Sequence, residues 1–379
     1  MVKFKSMQFS SVVGQKDAIG RLIKLGKEGK VPHAILFGEE PGYGALPLSV
    51  AFAQYLSCPN KSETDSCGNC PSCNKFSKLI HPDLHFAFPV NTTKKISSKP
   101  VSDNFIDSWR KVVRENPYMA EQELYDEIGT ENKLGNIGVA EASLIFRKLS
   151  MTSFEGGNKY MIIWLAERMN QEASNKLLKL LEEPPKETFL FLISQSPEKI
   201  LPTILSRCRI IKLPPIKIED LSEKLMEEFS INRTDAGLWA KISGGSLSHA
   251  RRAILESTDS SAFDNLIADL INGCLSKKLM NVISVWEEVA TLTREQQRNF
   301  CYKLIEYIRR SYILSLGSQE LSYIPESQKQ VFAHWAATIK PAFYEKGFEL
   351  VNKAITDIER SVNSKYIFAD LSNRFFLSL

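Results

Sequence analysis

The chain has 379 residues, 43% hydrophobic and 24% charged, with a formal net charge of +4. That is enough for two or three domains with substantial cores, and so mild a charge does not by itself argue for a nucleic-acid binder. No uninterrupted apolar run approaches the ~18 residues of a membrane span, and the opening Met1-Val2-Lys3-Phe4-Lys5 lacks an apolar signal region, so a cytoplasmic chain with no membrane partner is expected.

The apolar run Ala34 to Phe37 predicts a first strand, followed by Phe37 to Ser49, "FGEEPGYGALPLS". This stretch has the outline of a phosphate-binding loop between a strand and a helix, and Pro47 suits the helix's first turn. A working loop, G-x-x-x-x-G-K-[ST], cradles phosphate on backbone N–H groups and adds a lysine and a Mg²⁺-binding hydroxyl. With Gly44 as the second glycine, Glu39 stands at the first, Ala45 at the lysine and Leu46 at the hydroxyl. The turn Gly42, Gly44, Ala45, Leu46 is therefore a degenerate loop in which no ATP is expected, and Glu39 would repel a phosphate. A glycine turn with no nucleotide-binding history is the alternative.

Cys58, Cys67, Cys70 and Cys73 follow as C-x8-C-x2-C-x2-C. Two-residue spacers let tight turns aim successive sulfurs at one point, and Zn²⁺ takes four thiolates as a tetrahedron with no open position for water. A structural zinc site is expected; four unrelated reduced thiols are the alternative. Cys208, Cys274 and Cys301 are scattered and read as core residues. His81 and His85 are spaced as a helical metal pair, but Pro82 disfavours helix there, so they read as packing or surface histidines.

Residues 91–136 are less regular and read as an insertion, with short helices from Phe105 to Arg114 and Ala120 to Ile128. Tyr160 to Leu165, Phe189 to Ser194 and Arg209 to Leu213 predict further strands, short and little alternating, as in a parallel sheet buried on both faces. Between them, Met169, Ala173, Leu177 and Leu181 repeat every four residues and form one buried stripe of a helix that Pro184-Pro185 stops. The strand ending Ile163-Trp164-Leu165-Ala166-Glu167 puts Trp164 and Leu165 where a nucleotide site would carry its metal-side carboxylates, with Glu167 close by. Arg207 precedes the last strand; an arginine delivered across an interface can stabilise charge on a transferring phosphoryl group. After Pro214-Pro215 the pattern is helical: short helices over 216–257, then long amphipathic patterns such as Glu295 to Leu316 and Pro341 to Val362, with a soft boundary at the cluster Ser257 to Ser261.

Taken in order, Val13-Gly14-Gln15, Pro32-His33-Ala34-Ile35-Leu36, the cysteine cluster, "NKLLKLLEEPP" from Asn175 to Pro185, and Ser206-Arg207-Cys208 resemble the delta-prime family of bacterial DNA polymerase III clamp loader subunits. The likeness extends from residue 7 to about 257, with Asn363 to Leu371 its best piece beyond. The resemblance implies an α/β AAA+ module over 1–214, a parallel sheet flanked by helices with a zinc module at 58–73 and the insertion at 91–136. It implies a helical lid at 215–257 and an all-α collar at 258–379. It further implies a subunit that does not hydrolyse ATP itself but completes a five-subunit hetero-oligomeric ring with gamma/tau and delta subunits. There Arg207, within the motif Ser206-Arg207-Cys208, would reach a neighbouring gamma/tau ATP site, and the sliding clamp and primer-template DNA would be met through the assembly. The insertion is longer than the usual connection, and Ala45 and Trp164 depart furthest from a working site. An ATP-hydrolysing gamma/tau-type subunit is opposed by Ala45. A stand-alone zinc-containing DNA-binding protein is opposed by the acidic Glu63 and Asp65 beside the few lysines of the cluster.

Overall fold

Five short runs assemble into one sheet: β1 (Ala34–Gly38), β2 (Leu84–Ala87), β3 (Lys159–Trp164), β4 (Thr188–Ser194) and β5 (Arg209–Lys212), in the order β2-β3-β4-β1-β5 with every pairing parallel. The structure, a computed structural model, describes residues 7–94, 96–130, 134–259, 261–317, 324, 328–360 and 362–379. Leu36 lies opposite Leu192 and Ile210, and Ile162 opposite Phe86 and Phe191. Parallel strands need crossovers that lay helices on both faces, so β1 and β3 are buried along their whole length. One face, with Phe37, Phe86, Ile162 and Phe191, packs on α2 (Ala45–Ser57); the other, with Leu36, Ile163 and Leu192, packs on α6 (Val139–Ser150) and α7 (Gln171–Glu182). This is the expected α/β arrangement, a parallel sheet flanked by helices.

Two strands differ from the sequence reading. β2 went unread because its polar His85 and the preceding Pro82 disguise a four-residue run. β5 is not buried on both faces: it is the sheet's edge, and Arg209, Ile210 and Lys212 are exposed while Ile211 alone points inward.

α7 starts at the N-cap Asn170, whose side chain accepts from Ala173 N at 2.8 Å. Ala173, Leu177, Leu180 and Leu181 form its buried stripe, with Met169 only partly covered. The inserted segment carries α4 (Ile106–Glu115) and α5 (Glu121–Ile128), close to the expected bounds, while Lys95 and residues 131–133 lie outside the described residues. This segment belongs to the core. The indole of Trp109 is fully buried, stacked on Phe88 at 4.3 Å between ring centroids and tilted against Trp164 at 5.3 Å. Val113, Leu124 and Tyr125 complete the same cluster, and Arg168 pairs with Glu121 at 2.7 Å.

Beyond the sheet come α9 (Ile218–Phe229), α10 (Arg233–Ile242) and α11 (Leu247–Asp259). The chain divides into two compact units, Met1–Arg251 and Arg252–Leu379. Thr258 and Asp259 of the expected boundary cluster are helical, and Ser260 lies outside the described residues. Among the described residues the second unit holds the end of α11 and then α12 (Ser261–Leu275), α13 (Leu279–Thr291), α14 (Arg294–Ser315), α15 (Lys329–Thr338), α16 (Pro341–Glu359) and α17 (Ser364–Ser378). Its own core holds Trp286 stacked on Phe368 at 5.5 Å, and Trp335, whose indole N–H donates to Asn272 Oδ1 at 2.9 Å. Among the described residues no helix is long and apolar enough to cross a membrane.

Candidate functional site: a closed phosphate loop, an exposed arginine and a cysteine cluster

β1 delivers the loop, and α2 leaves it with its N-terminal amides unpaired by its own turns. Glu39 turns back into this gap. Its Oε2 accepts from Ala45 N at 2.8 Å, and the N–H groups of Gly44 and Tyr43 also face the carboxylate. Loss of water around the group is the largest influence and pushes its pKa up to about 7; the three amides oppose that rise, and nearby Glu167 adds to it. Glu39, expected to repel a phosphate, is the acceptor that the loop's own amides use.

The two glycines are required by what packs on them. Gly42 and Gly44 have φ of +82° and +105°, in the left-handed region. A methyl group at Gly42 would collide with the hydroxyls of Ser246 and Ser248, and one at Gly44 would lie 2.8 Å from Cε1 of Tyr118. Leu247 N donates to Gly42 O at 3.2 Å and Ser246 Oγ to Pro41 O at 2.6 Å, so the start of α11 rests on the loop. Tyr118 comes from the inserted segment, is buried, and its hydroxyl accepts from Val13 N at 2.7 Å. The Arg251 guanidinium stands 5.8 Å from the Tyr118 ring centroid, pairs with Glu228 at 2.7 Å and donates to Asn116 Oδ1. Gln15 of the Val13-Gly14-Gln15 motif donates to Tyr43 O at 3.1 Å and Pro214 O at 2.7 Å, tying the loop to the exit of the sheet. Ala45 and Leu46, at the lysine and hydroxyl positions, are buried in the core.

At the end of β3, Trp164 is buried against Trp109, and Leu165 takes a left-handed φ of +55°. Glu167 Oε1 accepts from Gln195 N at 3.0 Å, while its Oε2 is buried without a hydrogen-bond partner.

Ser206 and Arg207 follow the short helix α8 (Pro202–Leu205) and are both exposed; Cys208 turns partly inward, and burial pushes its thiol up to about 11. The Arg207 guanidinium donates to Thr203 O at 2.9 Å and pairs with Glu182 at 2.8 Å. Glu182 lies in the "NKLLKLLEEPP" stretch, so two motifs far apart in sequence meet. Sequence reading had no means to pair them. It also missed Tyr118, for which the only local signal is the Asn116-Pro117 turn.

The four cysteine sulfurs all lie within 4.8 Å of one another, and those of Cys67 and Cys73 are 3.9 Å apart. A zinc–sulfur bond of ~2.3 Å in a tetrahedron requires sulfurs ~3.8 Å apart, so the set fits a metal ion of that size. All four are free thiols. Amides of Cys67, Cys70 and Cys73 donate to the sulfurs of Cys58, Cys67 and Cys70 at 3.3, 3.4 and 3.4 Å, the kind of bond that favours thiolate. Gly68, at φ +74°, makes the turn, and Pro71 opens α3 (Pro71–Ser77), which carries Cys73. Around them, Asp65 accepts from Phe9 N and Ser10 N, and Gln54 donates to Ser66 Oγ. The cluster therefore fastens the chain's early turn to the end of α2. His81 is a packing residue: its ring lies tilted against Phe76 at 4.4 Å between centroids and its Nε2 is 3.1 Å from Glu155. Burial lowers the pKa of His85, on β2, to about 4.

The family described as DNA polymerase III, delta subunit matches residues 14–217, just over half of the chain, from the Val13-Gly14-Gln15 motif through all five strands. The chain belongs to this family. Subunit delta' of DNA polymerase III from Bacillus subtilis is 26% identical over 199 residues, 52% of this chain and 47% of that one. The Escherichia coli subunit of the same name is 28% identical over 195 residues, 52% of this chain and 46% of that one. The chain thus spans about half the length of these curated relatives. A solved DNA polymerase III gamma subunit-related protein of Thermotoga maritima aligns with 93% of this chain and 99% of its own at 16% identity and a TM-score of 0.40, a likeness from which nothing functional follows.

Proposed function

We propose that this delta-family chain is a non-hydrolysing delta-prime subunit of a clamp loader. In this reading it works in the cytoplasm within a hetero-oligomer with gamma/tau and delta subunits and meets the sliding clamp and primer-template DNA through that assembly. Residues 1–214 act as the AAA+ module, 215–257 as its lid and 258–379 as the collar. The cysteine set Cys58, Cys67, Cys70 and Cys73 holds a structural zinc, whose four thiolates close its coordination and leave it no catalytic position. The observation that carries the reading is a pairing of opposites. The loop that should hold phosphate offers its amides to Glu39 and has no cation at Ala45, whereas Arg207 stands at the surface, held by an exposed carboxylate from which it can swing. An exposed pair of this kind contributes only ~0.2–1 kcal/mol, so exchanging Glu182 for a γ-phosphate on a gamma/tau subunit costs little. A guanidinium placed there in other phosphoryl-transfer systems accelerates the step by ~10³–10⁵.

The test is reconstitution with gamma/tau and delta subunits, the sliding clamp and primed DNA. Arg207→Ala should leave the melting temperature and complex assembly as in the wild type, while ATP-driven clamp loading collapses. Loading at the wild-type rate would remove Arg207 from this role.

A further inference from the structure

The loop's amides, the inserted segment and the start of α11 converge on one place, and the groups there already satisfy one another. We propose that Glu39 and Tyr118 are built-in occupants of the nucleotide pocket, which latch the segment carrying Ser246, Ser248 and Arg251 onto the loop with no ligand bound. The inference rests on reading the loop as a former phosphate site, and adds that the site is filled by the chain itself.

Three amides aimed at one anion at the start of a 13-residue helix are the arrangement that takes a phosphate oxygen in a working loop. Here the anion is the Glu39 carboxylate, 2.8 Å from Ala45 N and attached six residues upstream. Because it is part of the chain, its local concentration is fixed and no dilute ligand has to be captured. Tyr118 fills the space over Gly44, where even a methyl group would overlap its ring. Arg251 is engaged by Glu228 and Asn116 and lies over the Tyr118 ring. Ser246 and Ser248 close on Gly42. A ligand shifts a conformational equilibrium only by its difference in affinity for the two states. With the pocket filled from within, ATP gains no such difference, and the loop and the start of α11 keep one arrangement whatever the nucleotide level. The inserted segment thereby acquires a role, since it supplies both Asn116 and Tyr118.

Two arms test this on the full chain. By hydrogen–deuterium exchange, the amides of Gly44, Ala45 and Leu247 in the wild type should exchange at least ~10²-fold more slowly than in unstructured chain, and identically with or without MgATP. Fast exchange, or protection that appears only with MgATP, overturns the proposal. In the second arm, Glu39→Ala combined with Tyr118→Ala frees the amides, and sodium pyrophosphate is the probe. At about 10 mM it should raise the variant's melting temperature by ~2 °C or more and leave that of the wild type unmoved. A folded variant that does not respond, or a wild type that responds equally, overturns the proposal. If the variant does not fold, the exchange arm decides alone. Failure of either arm leaves the Arg207 experiment standing, and loss of the Arg207 effect leaves the occupied loop standing.

Discussion

Glu39 places a carboxyl group among buried amides, and that position has a signature in pH. Its pKa rises from the ordinary 4.5 to about 7, with desolvation as the main cause. The folded state therefore holds more protons than the unfolded chain between those values. Its contribution to stability is fully present below pH 4.5 and is lost as pH rises through about 7. Glu39→Gln keeps an acceptor for Ala45 N without the buried charge. Urea unfolding should show the wild type losing up to ~3 kcal/mol relative to this variant between pH 5 and 8. Parallel profiles for the two proteins would contradict that assignment. Gly44 makes the same point sterically. Gly44→Ala forces a side chain into φ +105° and into the Tyr118 ring, and should lower stability by ~1–3 kcal/mol in the same assay. A neutral result would mean that the ring does not sit over the loop.

Among the elements, the inserted helices α4 and α5 and the cysteine cluster carry the largest consequences. Trp109 on α4 packs against Trp164 at the end of β3, so that end of the strand is packed core. Trp109→Ala should cost ~3–5 kcal/mol, read as a lower urea midpoint. A loss below ~1 kcal/mol would return the insertion to the surface. In the cysteine cluster, four thiols whose sulfurs all lie within 4.8 Å of one another would make metal and local fold interdependent once they bound an ion. Metal analysis of carefully reduced protein should find about one zinc per chain, and a chelator should release it and open the stretch around α3 to protease. Reduced protein without zinc would leave four ordinary thiols. The edge strand β5 shows why an apolar run misleads: "RIIKL" has the composition of a buried strand, but its place at the end of the sheet exposes Arg209, Ile210 and Lys212 and buries only Ile211 and Leu213.

For the molecule as a whole, a filled loop and an outward arginine predict a chain inert toward ATP by itself. Purified protein should show no ATP turnover, and steady hydrolysis abolished by changing Glu167 would refute this. The sequence by itself determined the alternation of strands and helices up to Pro214-Pro215, the helical remainder, the cysteine spacing and the presence of Ala45 and Leu46 where a working loop needs a lysine and a hydroxyl. Each of these is written in local periodicity or in a fixed spacing along the chain. Tertiary structure alone decided that Glu39 fills the loop it was expected to repel from, that Tyr118 crosses from a distant insertion to Gly44, and that Glu182 holds Arg207. Those contacts join residues 6, 74 and 25 positions apart in the chain. No local pattern encodes them, because the free energy that selects them is released only when the sheet, the insertion and the start of α11 have come together.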